Sequence, residues 1–223
     1  MKASIKAITL TTLLIGFYIG TNAQNIKFGV FADPQISWFT SDTKRFSSDG
    51  SVFGFNAGFT FEKYFADRYA ITSGASINNV GGILKYNEDG YSIKTRDDSY
   101  DILAGQSVRF KGQYIDVPLG LKFKTNEIGY ATFFAQLGVK GHLRLKGFAW
   151  QDENGVDREV LENDQTYLGF VSYMFGVGME YSLGGPSAIQ TGITFTNGMT
   201  PVYNAGYGRI SVGNVALRVG LVF

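Results

Sequence analysis

From residue 27 onward apolar and polar side chains alternate with a period of two, the signature of β-strands with two unlike faces. Phe28, Val30, Ala32, Pro34, Ile36 and Trp38 share one phase, and Lys27, Gly29, Asp33, Gln35 and Ser37 fall in the other. The same rhythm returns with Phe53, Phe55, Phe59 and Phe61, with Tyr69, Ile71 and Ile77, and with Ile115, Val117, Leu119 and Leu121. It continues through Phe133, Leu137 and Val139, then Val171, Tyr173 and Phe175, then Ile189 and Ile193, and ends on Val215, Leu217, Val219, Leu221 and Phe223. That predicts eight strands, several of them about ten residues long, the length a tilted strand needs to cross a bilayer. The connections alternate in length. Residues 40–51, 81–113, 146–165 and 198–213 are long and polar, whereas residues 66–68, 125–127 and 182–187 are short. Such a rhythm predicts an all-β fold, an eight-stranded antiparallel up-and-down transmembrane β-barrel with short periplasmic turns and long outer loops. Both termini then lie on the periplasmic side.

Alternation alone also suits a soluble barrel with a greasy interior. Three features argue for the inverted arrangement. The polar phase is rich in Gly, Ser, Thr and Asn and carries only one or two charges per strand, too few for a solvated wall. Large aromatics gather near strand ends, with Phe28, Phe61, Phe65, Tyr69, Phe123, Phe133 and Tyr181 on one side and Trp38, Phe53 and Tyr167 toward the other, as interfacial belts do. The last residue, Phe223, is aromatic and in phase with the apolar face. Lys63, the main charge in that phase, sits near a strand end where it can snorkel.

The first 23 residues read as a separate object. Lys2 and Lys6 precede an apolar stretch over residues 7–19, and Thr21, Asn22 and Ala23 supply small residues for cleavage before Gln24. This predicts a signal peptide over 1–23 and one barrel domain over 24–223. Removing the two lysines takes the formal charge from +1 to −1, so the balance asks for no nucleic acid. Without cysteine and with a single histidine, neither a thiolate site nor a multi-histidine metal centre is expected, and no cofactor is.

Tyr114-Ile115-Asp116-Val117-Pro118-Leu119-Gly120-Leu121-Lys122-Phe123 resembles the aromatic–aliphatic–acidic–aliphatic–Pro strand of PorT-like outer-membrane β-barrel proteins of Bacteroidota. Asn22-Ala23-Gln24, Phe175-Gly176-Val177-Gly178-Met179-Glu180-Tyr181 and the closing strand are similar to that group as well. The resemblance implies an outer-membrane location and one small barrel. Some members serve a protein-secretion apparatus, and no catalytic residue carries over.

Ten ionisable side chains are expected to point inward: Lys27, Asp33, Glu62, Asp116, Lys122, Lys140, His142, Arg144, Glu180 and Arg218. Charges in a narrow lumen must pair, so they predict an ion-pair network that fills the barrel, with Asp116 beside Lys140 and Asp33 beside Arg218. A narrow conducting path is the competing reading. His142 reads as a lumen histidine, and Ser172, also inward, has no identifiable base beside it. The acidic run Asp152, Glu153, Asp157, Glu159, Glu162 and Asp164, against Arg158, reads as a solvated loop, since its spacing fits no EF-hand. Tyr86, Tyr91 and Tyr100 in the longest connection suit contact with a protein, polysaccharide or lipid headgroup. The function expected is a non-enzymatic structural, binding or assembly component. A small porin-like channel and a lipid-modifying enzyme are the alternatives.

Overall fold

A computed structural model describes residues 25–223 apart from 97, 152–155, 162–165, 205 and 207, and the side chains of 156–158 are also left undescribed. The predicted leader therefore lies outside the described residues. So do most members of the acidic run, apart from Glu159.

Eight long strands form a closed antiparallel ring: β1 (Ile26–Ser41), β2 (Phe46–Ala66), β3 (Tyr69–Tyr86), β6 (Ser107–Lys124), β7 (Ala131–Gln151), β9 (Gly169–Ser182), β10 (Ala188–Gly198) and β11 (Ile210–Val222). Each pairs with its neighbour in sequence, and β1 closes on β11 with Val30 opposite Leu221 and Ile36 opposite Val215. Closure leaves no unpaired edge, which hydrocarbon would not tolerate. A short hairpin, β4 (Tyr91–Lys94) and β5 (Ser99–Ile102), and the strand β8 (Val156–Val160) ride on the far end. Both strand termini share the end with the tight turns, where Gly184 and Gly185 adopt φ of 89° and 67°, conformations other residues rarely reach.

The apolar phase points out. Phe55, Leu119 and Val219 are 45%, 58% and 46% exposed, far too open for a soluble core. They form a girdle bounded by aromatic contacts. At the turn end Phe28 meets Phe61 at 5.5 Å and Tyr69 meets Phe123 at 5.7 Å. At the other end Trp38 lies 6.5 Å from Phe195, which lies 6.2 Å from Tyr173. From Phe28 to Trp38, at about 3.3 Å per residue and a tilt near 40°, the band spans roughly 25 Å, the height expected of a hydrocarbon-facing girdle.

Beyond this band the strands do not stop. Much of what reads as long connection is strand. β3 runs to Tyr86, β6 starts at Ser107, and β7 reaches Gln151. Here the inside turns apolar: Phe39, Phe46, Leu84, Tyr86, Ile93, Ile102, Phe110, Tyr203 and Ile210 are buried together. The barrel is thus built in two storeys, polar inside within the girdle and greasy inside above it. A bulge on β7 helps the switch. Gln113 pairs with Lys146 and Tyr114 with Arg144, which leaves Leu145 as an extra residue. The inward phase moves from Lys140, His142 and Arg144 to Gly147, Ala149 and Gln151, as a one-residue insertion requires.

Candidate functional site

The lumen of the lower storey holds two polar clusters and one isolated pair. Nearest the turns, Lys122 on β6 donates to Glu62 on β2 and, at 2.6 Å, to Glu180 on β9. Lys124, two residues on and in the same phase, donates to the other Glu180 oxygen at 2.6 Å and lies 3.7 Å from Glu62. Tyr64 donates to Glu62 at 2.7 Å, and Phe134 carries the Lys122 ammonium 4.6 Å from its ring centroid. Two lysines and two glutamates with almost no solvent exposure make a neutral layer across the bore. Buried charges persist only when so matched.

Above it, Arg218 Nε donates to both Asp33 oxygens at 2.9 Å across the β1–β11 seam, with its guanidinium 4.0 Å from the Phe31 ring centroid. Higher still runs a chain of hydrogen bonds. Gln35 donates to Asn78 Oδ1 at 2.6 Å, and Asn78 donates to Asp116 Oδ2 at 2.7 Å. Asp116 Oδ1 sits 2.7 Å from His142 Nδ1, and His142 Nε2 sits 2.7 Å from Ser172 Oγ. Lys140 approaches Asp116 Oδ2 at 3.7 Å. Phe170 stacks on the imidazole with centroids 4.0 Å apart and planes 8° apart. Strand register brings these groups level: Asn78 faces Tyr114, Asp116 faces His142, and Lys140 faces Ser172.

The scaffold belongs with known proteins: residues 10–204 match the outer membrane protein beta-barrel domain. The chain belongs to this outer-membrane β-barrel family. Solved structures similar to it include the attachment invasion locus protein Ail of Yersinia pestis, at 14% identity over 89% of this chain and 99% of that one, with a TM-score of 0.43. Neisserial surface protein A is 13% identical over 87% and 95%, with a TM-score of 0.47. OprG of Pseudomonas aeruginosa is 13% identical over 88% and 93%, with a TM-score of 0.42. At such values the likeness says nothing about activity. No curated protein matches the sequence.

In this outer-membrane barrel, eight of the ten residues expected inside fall into the three groups just described. Arg144 sits above them and donates to the Thr166 carbonyl at 3.0 Å. Lys27 lies at the turn-end mouth and forms no ion pair with a described carboxylate. One expectation is overturned: Ser172 does have a base beside it, because β9 pairs with β7 and sets its hydroxyl against His142. Residues 142 and 172 are thirty apart in sequence, and only the strand order places them level. Lys124 and Tyr64 share the phase of Lys122 and Glu62, a signal that continued alternation could have supplied. Two voids in the bore measure about 30 Å³ and about 20 Å³, room for about one water each.

Proposed function

We propose that the protein is a non-enzymatic, PorT-like component of the outer membrane, a closed barrel that serves as a structural, binding or assembly element. On this reading a signal peptide over 1–23 is removed near Ala23, both termini lie in the periplasm, and the upper storey stands at the cell surface. A protein or polysaccharide meets it there. The observation that carries the reading is the double filling of the bore. A neutral charge layer around Lys122 closes the lower storey, and an apolar core around Phe110 and Tyr86 closes the upper. An eight-stranded barrel has an interior that side chains just fill, and neither layer leaves a column of water. Planar-bilayer recording tests this, with no discrete conductance steps expected from the full-length barrel. Steps would instead favour a small channel. Capture of a partner in mild detergent, lost when the β4–β5 hairpin is shortened, tests the binding half.

A second reading has one specific observation behind it. Ser172, His142 and Asp116 stand in the order of a nucleophile, base and orienting acid. Against it, Ser172 is fully buried and Phe170 covers the imidazole. The neighbouring Val171 amide donates to Thr200 Oγ1 at 2.9 Å and is not free to hold an oxyanion. A fluorophosphonate probe separates the readings. No label on Ser172 is expected, and a label abolished by Ser172→Ala would make the barrel an acyl-transfer enzyme.

A further inference from the structure

The outward row of β7 runs Phe133, Ala135, Leu137, Val139, Gly141 and Leu143, and at Gly141 a side chain is missing from it. Register sets Gly141 between Val117 on β6 and Val171 on β9. One row up, Leu143 stands opposite Gly169, a second outward position without a side chain. The two gaps are diagonal neighbours, one strand spacing of about 4.8 Å apart across the sheet. Together they leave a hollow of about 540 Å³ on the outer wall, sided by Val117, Leu143, Val171, Tyr167 and Pro201. Val117, Leu143 and Val171 are 49%, 54% and 41% exposed, so the hollow opens on the face that carries the girdle.

Its polar surroundings are engaged with one another. The Val171 amide donates to Thr200 Oγ1 at 2.9 Å, and the Val171 carbonyl accepts from the Met199 amide at 2.8 Å. The Tyr167 amide donates to the Val202 carbonyl at 2.9 Å. Beneath the floor, the His142 nitrogens face Asp116 and Ser172 in the bore. Little is left to hold a water, which needs about 2–4 polar partners. The hollow is continuous with the girdle, and lipid covers the girdle of an outer-membrane barrel. Tyr173, one row below Val171, and Tyr167, at the upper lip, are aromatics of the kind that mark the membrane boundary. The upper methylenes of a lipid chain lie at that level. Lipid tails are as apolar as these side chains, so the gain on entry is packing: an unfilled hollow forfeits the dispersion contacts of its lining.

We propose that this hollow is a seat for one acyl chain of a surrounding lipid, shaped by the absence of side chains at Gly141 and Gly169. The seat is independent of which end of the barrel faces the cell surface and of what the bore does. The full-length barrel, one copy per nanodisc of phosphatidylcholine carrying a diazirine on its acyl chain, is irradiated and its adducts mapped by peptide mass spectrometry. Adducts are expected to be several-fold enriched over residues 141–143, 167–171 and 200–201 relative to comparably exposed positions such as Leu119 and Val219. Gly141→Leu should abolish the enrichment by filling the seat. A Cβ there meets only the Val117 carbonyl oxygen, at 3.9 Å, so the variant is expected to fold, and heat-modifiable migration on a gel verifies it. Ala57→Leu, on β2 across the ring, should keep the enrichment. Even labelling of the wild-type wall, enrichment that persists in Gly141→Leu, or its loss in Ala57→Leu overturns the proposal. Discs that hold two barrels test the rival occupant. Enrichment that disappears there while a dimer forms would give the hollow to a second copy of the chain and overturn the lipid seat.

Discussion

Lys122 shows what a single side chain carries in this bore. Its ammonium is shared by two carboxylates that have no water to turn to. Lys122→Met should therefore destabilise the barrel by about 3–5 kcal/mol, because two buried acids lose their main counter-charge. Urea unfolding in detergent micelles measures it. Lys27→Met, at the open mouth, should shift the midpoint little. A glycine makes the same point sterically. The Tyr114 ring lies over Gly112, where an added Cβ would overlap it. Gly112→Ala must push that ring off its contact with Phe170, whose centroid is 5.2 Å away. The expected cost is about 1–3 kcal/mol, as for other overpacked interiors. Tyr114 and Phe170 ring chemical shifts report the displacement.

At the scale of elements, the upper storey depends on strands that carry apolar residues inward. Phe110 on β6 packs 6.4 Å from Phe39 and 5.3 Å from Tyr203. Phe110→Ala should cost about 3–5 kcal/mol. Hydrogen exchange should place the loosening in the ends of β3 and β6 and leave the girdle protected. The β4–β5 hairpin is tied to β8 by the Arg96 amide, which donates to the Val160 carbonyl at 2.9 Å, and by the Glu159 carboxylate. Thr95 and Tyr100 each donate to Glu159 at 2.6 Å and hold its pKa below the ordinary 4.5. A lowered carboxylate pKa means stability that is complete above that ordinary value and lost as pH falls through the folded one. The hairpin should thus stay docked at neutral pH and loosen only in acid below about pH 4.5. Tyr100 ring resonances followed by NMR through an acid titration give the readout, and Tyr100→Phe should move the loosening to higher pH.

For the whole molecule, two unlike layers in series explain why one substitution should not open it. The Lys122 layer sits near the turns and the apolar core sits above the girdle, with the Asp116–His142–Ser172 chain between them. Lys122→Met is expected to remain non-conducting in planar bilayers even though it is less stable. Combining it with Phe110→Ala should be the first change to admit ions. Sustained conductance from the single variant would show that the upper core does not seal.

What the sequence determined by itself is the part ruled by period two. Phase assigned Phe55, Leu119 and Val219 to lipid and Asp33, Glu62, Asp116 and Glu180 to the bore, and the alternation of connection lengths predicted the ring. Adjacent-strand partners such as Asp116 with Lys140, and the seam partners Asp33 and Arg218, followed from phase and strand order together. Tertiary structure decided what period two cannot carry. The bulge at Leu145 inverts the phase of β7, and a slip of one residue leaves the composition unchanged. The stretches that read as polar connections extend the barrel, because Phe39, Leu84 and Phe110 find one another only once the ring is closed. Register, set by many backbone hydrogen bonds acting at once, put Ser172 against His142. Such levels are sums over the whole sheet, and no local window of the chain contains them.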